Sequence, residues 1–210
     1  MTHHARVMPL VFLDIDDVLC MSSPYGGYDA LHVVGNRHPR PDDVCKHLFV
    51  EGARHVLEQV HMQMHGCLNY VISSTWREHF DRTQLTTVLS RGGLGFVAEA
   101  LLEGERWRTP SKCGRSRRVD EIAQWLDQHH AGQPFVILDD TFSGPSLAPA
   151  LTNPNHPFAG RVILCKENVG LAVEHVEAIL KALRHPARPL GGTEAEPQQQ
   201  GSVVNQGASA

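Results

Sequence analysis

The chain has 210 residues and a formal net charge of −4. That length suits one domain of ordinary size with a tail. The charge offers no general attraction to nucleic acid or to an anionic membrane surface. The apolar run nearest the start, Val7 to Leu13, contains Pro9 and stops at Asp14. It is too short for a signal-peptide core or a membrane span.

That run is the first expected strand. It is apolar on consecutive positions, as a strand buried on both faces requires. It leads into Asp14-Ile15-Asp16-Asp17-Val18-Leu19, where acids sit among apolar residues. Asp14 and Asp16 are two apart, so extended backbone aims both to one side. Two carboxylates ~4 Å apart repel by ~4 kcal/mol at an effective dielectric of 20. A shared proton or a bound cation must offset that, and all-oxygen ligation suits magnesium. An acidic turn after a strand is the plainer alternative.

Residues 21–47 show no clear periodicity and read as a long functional loop or small cap insertion. Tyr25 and Tyr28 flank Gly26-Gly27, either closing over a ligand or forming an ordinary packed turn. Ala53, Val56, Leu57, Val60 and Met64 recur at helical spacing, so Glu51 to His65 is an expected helix ended by Gly66. His61 and His65 share a face of it; without a third ligand nearby, a solvated face is the favoured reading over a metal site. The five cysteines, Cys20, Cys45, Cys67, Cys113 and Cys165, are odd in number, widely spread and lack a Cys-x-x-Cys. They suggest neither a disulfide framework nor zinc, and a reducing cytoplasm is the expected setting.

Leu68 to Ile72 is the second expected strand, and it runs into Ser73-Ser74-Thr75-Trp76-Arg77. Hydroxyls and an arginine at a strand mouth can hold a phosphate, or Ser and Thr can cap a helix. A helix is expected from there to about Ser90, and Leu94 to Val97 as a short third strand. Arg106 to Arg118 holds six basic residues, among them Lys112, Arg115, Arg117 and Arg118. The segment can bind a substrate phosphate, track a nucleic-acid backbone, or be a solvated loop. Val119, Ile122, Ala123 and Leu126 then give a helical stripe. Arg118 falls in the first turn of that helix, where a cation opposes the helix dipole, which hints that it serves an anion.

Phe135 to Asp140 repeats the opening pattern: an apolar strand, then Asp139-Asp140. Arg161 to Cys165 is a further strand and Gly170 to Leu183 a helix. From Pro186 on, Pro, Gly and Gln dominate, so 1–185 reads as the domain and 186–210 as a disordered tail.

Strand-acids, strand-hydroxyls, basic helix start and strand-acids stand in chain order. This resembles the haloacid dehalogenase superfamily of phosphohydrolases, on Asp14-Ile15-Asp16, on Ser74 with Ser73 and Thr75, and on Asp139-Asp140. The Ser-Ser-Thr-Trp-Arg form, the Arg118 to Ile122 run and the Asp-Asp ending are most similar to the small domains of Swiss-army-knife RNA repair proteins. The resemblance implies an α/β fold with a doubly wound, mostly parallel, Rossmann-like sheet and a small cap insertion. It implies a magnesium-dependent phosphatase with Asp14 as nucleophile and Asp16 as general acid and base. Magnesium would be held by Asp14, the Asp16 carbonyl and Asp139, with Asp140 beside it. Ser74 with Thr75 would bind the phosphoryl oxygens, and the cation would come from Arg118, which fits that place better than Arg115 or Arg117, or from Lys112. The substrate would be a phosphorylated small molecule or a nucleic-acid end. Asp17 stands where the family usually has Gly, and the usual lysine of the third motif is not plainly present. Two rival readings are a phospho-accepting receiver domain using Asp16-Asp17, Ser74 and Lys166, and a catalytically silent binding module.

Overall fold

The computed structural model describes residues 8–111 and 117–186. In chain order the elements are β1 (Leu10–Leu13), α1 (Gly27–Val34), α2 (Pro41–His47), α3 (Glu51–Gln63), β2 (Asn69–Ile72), α4 (Trp76–His79), α5 (Arg82–Arg91) and α6 (Gly95–Glu99). After them come α7 (Arg118–His129), β3 (Phe135–Asp140), α8 (Pro149–Thr152), β4 (Val162–Cys165) and α9 (Val176–Arg184). The strands form one parallel sheet in the order β2-β1-β3-β4. The α/β, doubly wound expectation holds. β1 starts at Leu10 because Pro9 has no N–H to give the ladder, although its carbonyl accepts from Asn69 N.

Side-chain alternation along each strand builds two cores. Val11, Leu13, Tyr70, Ile72, Val136 and Leu138 face α3, α5 and α9. Leu10, Phe12, Val71, Phe135 and Ile137 face Ile122, Trp125 and Leu126 of α7. Layers of helix thus cover both faces, as a parallel sheet needs. From β1 the chain winds out to β2, then returns to β3 on the other side of β1. The loops after β1 and β3 therefore diverge, leaving a crevice at the carboxyl ends of the two central strands.

Four sequence expectations change. The insertion 21–47 is not loop throughout: it holds α1 and α2, each about two turns and too short to show a period. Asp29 caps α1 by accepting from Gly26 N, and Pro41 starts α2. The helix expected to run to Ser90 breaks at Phe80, whose backbone is extended; Asp81 and Gln84 then form a fresh capping box for α5. Leu94 to Val97 is helical, not a strand, since periodicity cannot type so short an apolar run. The outer edge of β2 is instead bordered by residues 100–109, bridged at Leu101 and Arg108. The last helix starts at Val176, after a 3-10 turn over Val173–His175. Among the described residues, no helix is long and apolar enough to cross a membrane. The expected tail lies almost wholly outside the described residues.

Candidate active site

The sheet ladder extends one step beyond β1: Asp14 N donates to Leu138 O, and Ser73 N donates to Leu13 O. Register then sets Asp14 beside Asp139 at the crevice. Asp14, Asp139 and Asp140 are all buried, and each offers a carboxylate oxygen within 4.8 Å of the others. Burial, then the neighbouring charge of Asp139, pushes the Asp14 carboxyl well above its ordinary range, against the pull of Arg118. Burial also raises Asp139, again against Arg118.

Among the described residues, Arg118 is the cation that reaches this cluster. Its Nε lies 2.9 Å from Asp139 Oδ2, an ion pair without hydrogen-bond alignment, and its guanidinium is 3.7 Å from Asp14. Burial disfavours its charge, but Asp14, Asp139 and Glu121 more than offset that and raise its pKa. Arg117, one residue earlier, is exposed and paired with Asp120. Lys112 and Arg115 lie outside the described residues. Arg77, which follows the hydroxyls, is taken up by groups of the protein itself. It is buried, paired with Glu121 at 2.8 Å, and donates to the carbonyls of Ser74 and Thr109.

The Ser74 hydroxyl hydrogen-bonds the Asp14 carboxyl and draws its pKa down, while Ser73 Oγ is buried without a partner. Thr75 is exposed and shares a cavity with Asp16. Asp16 is half-buried, and the Trp76 indole N–H sits 3.0 Å from each of its carboxylate oxygens. Burial raises the Asp16 carboxyl, and the indole hydrogen bond partly offsets that. Asp17 adopts a left-handed backbone (φ 53°), which Asp tolerates, and its carboxylate accepts from Asn168 N at 2.8 Å. Its charge is committed to that loop.

Three contributors escaped the sequence reading. Ser143, on the loop after β3, places its hydroxyl 2.9 Å from Asp14 and 3.1 Å from Asp139, and in contact with Asp140. Trp76 was visible in its motif but had no assigned role. Glu121 stood in the Arg118 to Ile122 run without an assigned role, and it ties Arg77 to Arg118. His61 packs against Tyr70 and Phe96, so its position on α3 is partly covered where a solvated face was expected.

The family can now be named, since a model of the HAD domain in Swiss Army Knife RNA repair proteins matches residues 10–176. The chain belongs to the haloacid dehalogenase (HAD) superfamily. No curated protein and no solved structure matches it significantly. HAD membership is that of a phosphohydrolase superfamily, and the acidic cluster at the β1 and β3 ends is compatible with that chemistry.

A divalent cation fits these residues. The donors are carboxylate oxygens, the type that hard cations take. Ser143 has one proton for three carboxylates, and Arg118 supplies one positive charge against three acids. Both leave negative charge for a cation to balance.

Proposed function

We propose that this HAD protein is a magnesium-dependent phosphatase acting through an aspartyl phosphate on Asp14. The observation that carries the reading is the buried Asp14, Asp139 and Asp140 group facing Arg118 and Ser74. Asp14 attacks phosphorus with a carboxylate oxygen as the bond to the leaving oxygen breaks. Asp16, whose burial favours the protonated form, gives that oxygen its proton. Water then attacks the phosphoryl group, Asp16 takes a proton from it, and phosphate leaves Asp14 as a free carboxylate. Ser74, Thr75 and Arg118 bind the phosphoryl oxygens, with Lys112 as a further candidate from its sequence position. Asp14, the Asp16 carbonyl, Asp139 and Asp140 would hold Mg2+, which when bound neutralises charge on the transferring group. The substrate is a phosphorylated small molecule or nucleic-acid end; the latter is in keeping with the RNA repair proteins named by the family.

The test is phosphate release, with magnesium, from acetyl phosphate, nucleotides and 5′- or 3′-phosphorylated oligonucleotides. Asp14→Asn should lower turnover by several orders of magnitude, and Asp16→Asn by ~10²–10⁴-fold. Beryllium fluoride with magnesium should modify Asp14. Near-normal turnover in Asp14→Asn, or adduct on another aspartate, overturns the mechanism.

A further inference from the structure

Beside Asp16 a cavity of about 370 Å³ opens between α1 and α4. We propose that it is the leaving-group site and that it selects phosphomonoesters of uncharged, flat aromatic alcohols. The proposal rests on the phosphatase reading above.

Continuity comes first. Asp16 lines the cavity, and it is the group assigned to protonate the leaving oxygen. A leaving group joined to phosphorus near Asp14 and reached by Asp16 has this space next to it. Shape comes next. Trp76 and Phe80, both buried, stack with ring centroids 5.1 Å apart and planes 19° apart, giving the cavity a rigid aromatic base. Gly27 lets α1 come close: a Cβ there would lie 3.1 Å from the Trp76 ring. At the lip, Tyr28 is 74% exposed and Leu31 37% exposed, so large apolar side chains stand open to solvent beside the candidate catalytic acid. A partly apolar cavity with a few polar groups beside a candidate catalytic acid is where a ligand group would be seated.

Charge narrows the class. Among the described residues that line the cavity, none is lysine or arginine, and His79 is the one basic side chain there. A leaving group carrying its own phosphate or carboxylate would face Asp16 without a fixed cation, so of the two substrate classes proposed above this cavity favours the small molecule over the nucleic-acid end. A sugar would find Ser22, Thr75 and His79 for some of its hydroxyls, but those turned to Trp76, Phe80 and Leu31 would be poorly paired. A flat uncharged ring suits both the surface and the sign.

The experiment has a kinetic and a binding arm. Phenyl phosphate and 4-carboxyphenyl phosphate share a ring and differ by one charge. Wild type should favour phenyl phosphate by about tenfold in kcat/KM, and Leu31→Lys should largely erase that ratio. In the binding arm, 1-naphthol and 4-hydroxybenzoate are titrated while the indole N–H signals of the three tryptophans are followed by NMR. Trp76, assigned by the loss of its signal in Trp76→Phe, should shift saturably with naphthol and far less with the anion. Equal kcat/KM for the two aryl esters, or a Trp76 signal unmoved by naphthol, overturns the proposal. Hydrolysis of acetyl phosphate in that case leaves the phosphatase reading standing. If no ester or acyl phosphate is hydrolysed, that reading falls, and with it the leaving-group assignment.

Discussion

Trp76 does two jobs with one side chain. Its ring packs on Phe49 and Phe80, and its N–H is shared between both oxygens of Asp16. A carboxylate held this way is fixed in direction, and proton transfer to a leaving oxygen depends on direction as well as on pKa. Trp76→Phe keeps an aromatic ring and removes the donor. Losing a hydrogen bond to a charged group costs ~1.5–3 kcal/mol, so kcat for alkyl phosphates should fall at least about tenfold. Acetyl phosphate, whose leaving group scarcely needs a proton, should show a much smaller fall. An equal loss for both substrates, measured side by side, would argue that the indole only supports the fold.

At the scale of elements, α7 is fastened to the β2 end through Glu121. Its carboxylate lies 2.8 Å from Arg77 of α4 and 3.5 Å from Arg118 of its own helix. One buried acid thus positions the arginine that reaches Asp14 and anchors the segment that follows the serines. Removing one member of a buried ion group leaves its partners charged in a poorly solvated place, at a cost of about 3 kcal/mol. Glu121→Gln should therefore lower the urea midpoint strongly with an unchanged slope. Asp120→Asn, on the exposed side of the same helix and paired with Arg117, should barely move it. Similar midpoints for the two variants would show that α7 is held by Ile122, Trp125 and Leu126 alone.

For the whole molecule, the acid cluster sets how stability depends on pH. Asp14 and Asp139 are raised above the ordinary carboxylate value of 3.8, chiefly by burial. Between that value and the raised ones, the folded protein holds protons that the unfolded chain has released. Stability contributed by these groups is present at low pH and lost as pH rises through the folded values. In the absence of divalent cations, Asp14→Asn should thus raise Tm at pH 8, by ~2–4 °C for each kcal/mol relieved. The advantage should shrink as pH falls toward 4. Magnesium binds the ionised carboxylates, so it should raise the wild-type Tm more at pH 8 than at pH 5. A scanning calorimetry series that finds the wild type more stable than Asp14→Asn at pH 8 without metal would contradict this.

Much of the architecture was legible in the residues alone, because it depends on local chemistry. Apolar runs at Leu10 to Leu13 and Phe135 to Leu138 each end in acids, a pattern that reads as a buried strand opening on a crevice, which the length of the run alone would not have fixed. The stripes of α3 and α7 are long enough to declare a period. The acid pair, Ser74 and Arg118 were likewise marked by their positions at strand and helix ends. Tertiary structure decided the rest. Whether Ser73 or Ser74 faces Asp14 depends on strand register, and whether Arg77 or Arg118 meets the acids depends on where Glu121 packs. Helices α1 and α2 are too short to show periodicity and are held by caps and by packing of Ala30, Val33 and Val44 into the core. Ser143 reaches Asp14 across 129 residues of chain. Trp76 reaches Asp16 across 60. No local pattern encodes such pairs, since the sheet order brings them together and chain spacing carries no trace of it.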